Sequence, residues 1–571
     1  MSAPDGSALS NALYYKQRLA SIEEYERRGR NAYPHKFAKT HELGELVAAY
    51  DNASLANGDV RKGAEVAIAG RLLERRSSSA KLHFYDVVGG AGDARGRVQV
   101  LVNFAKQREL ALDNFRYLHE EVLRRGDVIG VRGHVARSRR GEFSVLASLG
   151  VVLLAPCYQL LPEANRLEDA ETRHRRRHLD LLVNDDATRV FALRSRAIAF
   201  IRRFFAERDF VEVETPVLAL QAGGASARPF RTHLNDLKLE MTMRVAPELY
   251  LKQLVIGGFE RVFEIGKNFR NEGIDMSHNP EFTAIESYEA YADYHDVMRM
   301  TEQLLERLVR ALFGGATTTL TYHAADGRAL ELDFAAPYPR VPIIATLERR
   351  LNVTFPADLS DADGTVSRFL AQLLDEHAVA CDEPRTATRM LDKLVGAVIE
   401  PELVQPSFLV DHPQFMCPLA KWHRDAPGLT ERFELFVVGR ELCNAYTELN
   451  DPRRQRALFH VSERDAAAGD DEAQTMNDEF CDALDYALPP TGGWGMGIDR
   501  LVMLLADKAT IRDVILFPTM KPRAGQSGTL APSTAAAEEG DSAESSAPSI
   551  VEGDGSAPST AEVASLEDSA L

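Results

Sequence analysis

The sequence predicts an α+β protein in which a small N-terminal β-barrel precedes a larger unit of strand pairs and amphipathic helices. Three observations carry this prediction. Between Glu65 and Leu161, short strand-like runs follow one another across turns, with one helical piece near Gln107 to Leu123. Beyond Arg189 the apolar residues recur at helical spacing and then alternate again, so helices and strands are interleaved. The stretch Arg261 to Tyr288, RVFEIGKNFRNEGIDMSHNPEFTAIESY, reads as strand, turn-rich loop and strand, with Arg270 and Glu272 at the mouth of a hairpin.

Residues 1–58 open with a charged, weakly amphipathic helix over Tyr14 to Arg28, expected as an extension packed on the next domain. Residues 59–165 hold five strand-like runs: EVAIAGRLLERR, KLHFYDVVG, GRVQVLVNF, DVIGVRGHVARS and EFSVLASLGVVLLA. Five strands with one inserted helix is the count of an OB-fold, a barrel that often binds single-stranded nucleic acid on one face. The cations Arg71, Arg75, Arg76, Lys81, Arg95, Arg97, Arg132, Arg137, Arg139 and Arg140 fall on these strands and loops, interleaved with His83, Phe84 and Tyr85, which suits an RNA-binding face. Alternation requires that Phe84 or Tyr85 fill the barrel instead.

Residues 166–522 form the larger unit. Its basic run Arg173 to His178 is a solvated surface or an inter-domain contact when taken alone. A long amphipathic helix over Arg189 to Arg208 leads into a strand at Phe210 to Pro216, FVEVETP. Gly223 to Ser226 is a small-residue loop suited to close approach of a ligand, or an ordinary turn. Ala246-Pro247-Glu248 opens a helix, so Glu248 is either a helix-start charge or a site residue. After the hairpin come a helix over Asp296 to Leu312, an insertion at about 316–429 with helices near Ala345 to Leu351 and Val366 to His377, a strand pair over Arg432 to Glu448, and Thr491 to Leu501, TGGWGMGIDRL, read as a glycine-rich loop with a fixed arginine, Arg500. Residues 523–571 are rich in Ala, Ser, Glu, Gly and Pro and are expected to be a disordered acidic tail.

At 571 residues the length suggests three or four units, and 45% apolar with 27% charged residues is the balance of a soluble globular chain. No apolar run is long enough to span a membrane, and the start has no leader pattern, so a cytoplasmic address is the expectation. The net charge of −18 argues against a nucleic-acid partner until its distribution is read. Beyond Arg523 lie Glu538, Glu539, Asp541, Glu544, Glu552, Asp554, Glu562, Glu567 and Asp568 with no Lys or Arg, which accounts for about half the excess. The five cysteines have no CxxC pair, against a zinc site or disulfide framework.

Three motifs then coincide in order. Phe210 to Pro216 resembles motif 1 of the class II aminoacyl-tRNA synthetases, Phe269-Arg270-Asn271-Glu272 with His278 to Phe282 resembles motif 2, and Gly493 to Arg500 resembles motif 3. With the leading OB-like domain, APELYLK, HNPEF, NAYTELNDP and GWGMGIDR are most similar to the lysyl-tRNA synthetase family, eukaryotic cytoplasmic type, from about Tyr14 to Pro522. The resemblance implies a core built on an antiparallel sheet flanked by helices, and a homodimer through motif 1. It also implies lysine, ATP and lysine tRNA as substrates, with Mg2+ on the triphosphate.

Roles follow by the same resemblance. Arg270 would bridge the substrate carboxylate and the α-phosphate, and Arg500 would hold the γ-phosphate. Glu434 and Glu441 would be magnesium ligands, Phe282 would stack on adenine, and Glu272 would accept from its amino group. His278 would lie near the phosphates, with Gly497 lining the ATP site. Glu286, Tyr288 and Glu448 would contact the ε-ammonium of lysine, Glu248 and the Gly224 backbone its α-amino group, and Asn444 and Tyr446 would complete the wall. In the barrel, Arg76, Phe84, Gln99 and Glu142 match positions that read the anticodon. The competing readings are an aspartyl- or asparaginyl-tRNA synthetase, and a catalytically inactive RNA-binding scaffold; retention of Arg270, Glu434, Glu441 and Arg500 speaks against the second.

Overall fold

The structure, a computed structural model, describes residues 6–523 other than 52–54, 91–94, 108–110, 164–166, 325, 360, 362–363, 468, 470–473 and 475. The tail expected from 523 onward falls, from 524, outside the described residues.

Five strands close a barrel: β1 (Val60–Ser79), β2 (Leu82–Gly89), β3 (Gly96–Asn103), β4 (Val128–Arg137) and β5 (Phe143–Ala155), in the order β1-β2-β3-β5-β4. Period-two alternation sends Val66, Ile68, Tyr85, Val87, Val98, Val100, Ile129, Val131 and Val145 inward. Tyr85 is thus the aromatic that fills the barrel, while Phe84 points outward and is only partly buried.

The first helix, Gly6–Arg27, docks on the barrel by placing Ile22 and Tyr25 in its core. The contact is fixed by Arg18, which is fully enclosed. It donates to both oxygens of Asp127 at 2.8 and 2.7 Å and to the carbonyl of Val122 at 2.5 Å. A buried arginine needs such a set of acceptors. A second short helix, Leu43–Tyr50, adds Leu43 and Leu46 to the same core. The sequence pattern did not reveal it, because eight residues span too few turns for periodicity to register.

The basic run Arg173 to His178 turns out to be a staple. It lies in the short helices Ala170–Arg175 and Arg177–Val183. Arg177, 1% exposed, donates to the carbonyls of Arg512, Ile515 and Leu516 and to Asp180, while His174 meets Asp513 at 2.9 Å. Arg173, His174 and Arg177 are thus taken up by partners inside the fold, while Arg176 and His178 face solvent.

Downstream the strands are β6 (Val211–Glu212), β7 (Leu218–Ala219), β8 (Arg231–Leu234), β9 (Leu239–Met243), β10 (Arg261–Phe269), β11 (Glu281–Ala290), β12 (Thr319–His323), β13 (Ala329–Asp333), β14 (Arg340–Pro342), β15 (Ser407–Val410), β16 (Arg432–Val437), β17 (Arg440–Thr447) and β18 (Thr491–Gly497). Eight of them make one sheet in the order β14-β15-β16-β17-β18-β11-β10-β6, antiparallel inside and parallel only at its two edge pairs.

One face of this sheet carries Phe263, Ile285, Phe433, Leu435, Trp494 and Met496 into a core with the helices Asp185–Ala206, Tyr294–Leu312 and Ile498–Leu505. The residues between them necessarily point the other way. The glycine-rich stretch is therefore a strand followed by a helix, not a loop. Its period-two pattern is masked because glycines occupy the open face while Trp494 and Met496 occupy the packed one. FVEVETP pairs over only Val211–Glu212, against Val262 and Phe263. In the 316–429 region the helices are Ile343–Leu351, Thr365–Glu376 and Ala387–Val398, the last not anticipated, packed on a core of their own.

Candidate active site

The open face of the sheet is a floor of registered positions. Opposite one another lie Glu264, Glu286, Gly495, Asn444 and Glu434, from β10, β11, β18, β17 and β16. The next row away from β11's start holds Tyr288, Gly493, Tyr446 and Arg432. A cavity of about 630 Å3 stands on this floor, enough for a nucleotide and an amino acid together. Every candidate residue assigned from sequence to ATP or lysine lines it: Gly224, Glu248, Arg270, Glu272, His278, Phe282, Glu286, Tyr288, Glu434, Glu441, Asn444, Tyr446, Glu448, Gly497 and Arg500.

At one end the cavity is acidic. Glu248 begins the helix Glu248–Ile256 and Lys252 lies one turn on, a spacing that brings their side chains together. Lys252 Nζ donates to Glu248 Oε1 at 2.6 Å and forms an ion pair with Glu448. Tyr446 also donates to Glu248 Oε1, at 2.6 Å, and Tyr288 donates to Glu286 Oε2 at 3.1 Å. Glu248, Lys252 and Glu448 are 4%, 0% and 0% exposed. One ammonium cannot balance three carboxylates. Burial, with the charge of Glu248, pushes Glu286 up to about 8, and burial likewise raises Glu448 despite Lys252. Burial works against the Lys252 charge, but the two carboxylates outweigh it and hold the ammonium protonated. A fourth acid, Glu264, is taken up by Arg244 at 2.5 Å and Thr215 at 2.7 Å.

Two glycines make this end possible. A Cβ on Gly493 would lie 1.8 Å from Glu448 Oε1, so the strand floor must be bare there for the carboxylate to fit. Gly224 takes φ +87° and passes so near Glu248 that a Cβ would be 2.9 Å from that of Glu248.

The other end holds cations. The Arg270 amide donates to the Pro280 carbonyl at 2.9 Å, closing the hairpin mouth, and its guanidinium lies 5.1 Å over the Phe282 ring. Among the described residues Arg270 forms no ion pair, and its buried Nε has no hydrogen-bond partner. Arg500 is held: Nη1 donates to the Glu441 carbonyl at 2.8 Å and carboxylate at 3.1 Å, and Nη2 meets His278 Nε2 at 3.0 Å. A guanidinium only donates, so His278 Nε2 accepts and Nδ1–H faces Asp275 Oδ2 at 2.8 Å. Partial burial opposes ionisation of Asp275, but hydrogen bonds from His278 and from the Ser277 and His278 amides bring its pKa down to about 2.

Glu434 and Glu441 sit on the two strands of one hairpin, not on a single strand, with a bulge at Leu435/Phe436 between them. Burial disfavours the Glu434 carboxylate, but Arg432 at 2.6 Å and His412 at 3.3 Å overcome this and set its pKa at about 2. The described residues contain no group of three or more metal-ligating side chains. An ionised Glu434 with Glu441 fits Mg2+, which takes one or two carboxylates and completes its shell with phosphate oxygens and water.

Sequence reasoning missed the residues that hold this arrangement. Lys252 lay inside APELYLK without a role, and Arg432 was read only as strand. Asp499, 2% exposed, accepts from Arg194 at 2.5 Å and from the Thr283 amide at 2.7 Å, tying the helix Asp185–Ala206 to β11 and to the turn that carries Arg500. An acid immediately before the motif arginine was the signal available.

On the barrel, register places Arg76 opposite Phe84, Phe84 opposite Leu101, and Gln99 opposite both Asp86 and Ser144. Arg76, Phe84, Gln99 and Glu142 therefore share one outer face. Gln99 donates to Glu142 and accepts from Ser144 at 3.1 Å, and Arg76 and Arg97 flank Asp86.

An antiparallel sheet whose open face floors a cavity with two motif arginines at one end and buried acids at the other has the arrangement of a class II tRNA synthetase, and comparison agrees. The family model described as tRNA synthetases class II (D, K and N) matches residues 169–521, and the chain belongs to that family. Among curated proteins it is similar to lysine–tRNA ligase cla4 of Cladosporium cladosporioides, 46% identical over 91% of this chain and 86% of that protein. It is equally similar to a probable cytoplasmic lysine–tRNA ligase of Encephalitozoon cuniculi, 46% over 90% and 98%, and 42% identical to the lysine–tRNA ligase of Thermotoga maritima over 89% and 96%. Within its class, the chain falls among the lysine–tRNA ligases.

Proposed function

We infer that the protein activates lysine with ATP to lysyl adenylate and transfers the lysyl group to the 3′ end of lysine tRNA. The observation that carries this reading is the acidic end of the cavity, the buried Glu248 and Glu448 with the partly buried Glu286, which suits a substrate bearing two ammonium groups. An aspartate pocket needs cations where these acids stand.

The chemistry is positioning and charge neutralisation. The lysine carboxylate attacks the α-phosphorus, and the bond to pyrophosphate breaks. Arg270, without an ion pair among the described residues, bridges the two reacting anions, and Arg500 holds the γ-phosphate. Phe282 stacks on adenine, Glu272 accepts from its amino group, and His278 stands beside the phosphates. Glu434 and Glu441 would hold Mg2+, which would neutralise charge on the triphosphate. A hydroxyl of the tRNA terminal adenosine then attacks the lysyl carbonyl and AMP leaves.

Arg76, Phe84, Gln99 and Glu142 read the anticodon, with Phe84 stacking on an unpaired base. The chain acts as a homodimer through motif 1, and Val211 in that motif and Val217 and Leu218 just beyond it are exposed. A cytoplasmic site of action is supported by the names of the microsporidian relatives.

ATP–pyrophosphate exchange with each amino acid in turn tests the reading: exchange with lysine is expected, and exchange with aspartate but not lysine overturns it. Phe84→Ala is expected to weaken tRNA charging and leave adenylate formation nearly intact. Equal losses in both would refute the division between barrel and sheet.

A further inference from the structure

The acidic end contains an ammonium of its own. We propose that Lys252 is a positioning residue for amino-acid recognition: one buried ammonium, shared between Glu248 and Glu448, holds the two carboxylates that receive the α- and ε-ammonium groups of a diamino acid substrate. This rests on the lysine reading of the cavity.

The geometry is specific. Both hydrogen bonds that Glu248 accepts, from Lys252 and Tyr446, fall on Oε1. Glu448 Oε1 accepts none among the described residues, although the residue is fully enclosed. Each acid is thus held by one oxygen and keeps the other for a ligand. The two come from distant parts of the chain, the first turn of a helix and the end of β17, and Lys252 is the charged group in contact with both. Two aromatic rings also lie near it, those of Tyr446 at 5.7 Å and Phe480 at 5.6 Å.

A purely structural role explains this poorly. Burying a charge triad costs desolvation that well-packed apolar side chains of similar size avoid, so such a triad is weak support for stability. What the ammonium supplies, and an apolar side chain does not, is a fixed separation between two acids that would otherwise repel each other or share a proton.

The test is ATP–pyrophosphate exchange and thermal melting on the full chain for Lys252→Gln, Lys252→Met, Glu448→Gln and the double variant Lys252→Met/Glu448→Gln. Lys252→Gln keeps hydrogen-bond donors and removes the charge, so it decides the matter if Lys252→Met does not fold. Both single Lys252 variants are expected to raise KM for lysine roughly 30-fold, the scale of coupling within one ion-pair network, with KM for ATP within about threefold. The double variant is expected to lose less for lysine than the two single losses multiplied together, because Lys252 acts in part through the Glu448 carboxylate. A folded Lys252→Gln with wild-type KM for lysine overturns the proposal. So do equal rises in both KM values, or a double variant whose losses add. If Glu448→Gln itself leaves lysine recognition intact, the cavity reading fails; if it does not and the Lys252 variants do, only this inference falls.

Discussion

The two ends of the cavity are built on opposite principles. At the acidic end the charges are enclosed and each is engaged by a partner, along its own element (Lys252 with Glu248, Tyr288 with Glu286) or across elements (Lys252 with Glu448, Tyr446 with Glu248). At the ATP end the cations stand ready or are held by groups that water reaches. Arg270 has no ion pair among the described residues, while Arg500 is steadied by His278 and through it by Asp275, 49% and 57% exposed. The difference teaches where discrimination is stored. Enclosed, preorganised acids reject a wrong side chain because they leave charges unpaired, whereas partly buried cations steadied by water-exposed groups reposition around a phosphate chain at less cost.

The largest expected effect comes from breaking the acidic end. Removing one partner of a buried ion pair costs roughly 3–5 kcal/mol, which at ~1.4 kcal/mol per decade is about two to three decades. Glu448→Gln is therefore expected to lower kcat/KM for lysine by that factor with KM for ATP little changed; near-wild-type lysine kcat/KM in exchange assays would sink the assignment. Next is Gly493→Ala, which adds only a methyl group but puts it 1.8 Å from Glu448 Oε1. Overpacking of this kind costs about 1–3 kcal/mol, or roughly one to two decades, expected as a rise in KM for lysine at unchanged thermal stability of the barrel.

Legibility in the sequence follows the same division. The hairpin from Arg261 to Tyr288, the strand pair at Arg432 to Glu448 and the barrel strands were readable because alternation has period two and turn formers bracket it. The motif residues were readable only by resemblance, since no spacing rule brings Glu448 to Glu286. Strand β18 was misread because glycine carries no hydropathy signal on the face where it matters. Lys252 was invisible as a site residue for a different reason: a lysine on a helix reads as solvated, and only the tertiary arrangement reveals that it is enclosed by two acids. The short helix Leu43–Tyr50 spans too few turns for a period to register, whereas Ala387–Val398 carries a readable signal, the N-cap Thr386 followed by Met390, Leu391, Leu394 and Val395 at helical spacing, inside a stretch whose overall pattern is mixed.

A pH measurement sharpens the comparison at the acidic end. Glu286, raised to about 8 by burial and by Glu248, holds a proton in the empty cavity at neutral pH. A lysine ammonium requires the ionised form, so kcat/KM for lysine is expected to rise with pH, by about tenfold at most between pH 7 and 8, and to level above. Glu286→Gln should remove that inflection. The sign for stability is the reverse: a carboxyl whose folded pKa is raised binds a proton that the unfolded chain has released, so the ligand-free protein loses stability as pH rises from the ordinary carboxylate range to about 8. Saturating lysine should abolish that loss in thermal melts.

The smallest effect belongs to the ATP end. Asp275 accepts from His278 Nδ1 and from two backbone amides, at 2.8, 2.6 and 2.7 Å, and so selects the tautomer in which Nε2 accepts from Arg500. Asp275→Asn keeps an acceptor but removes the charge from an exposed chain of contacts, where one ion pair is worth about 0.2–1 kcal/mol. The expected result is a rise of about two- to fivefold in KM for ATP, diminishing with added salt, and no change in KM for lysine. A hundredfold loss, or a loss that falls on lysine, would mean that the Asp275–His278–Arg500 chain is as rigidly preorganised as the buried acids, and the contrast between the two ends would have to be abandoned.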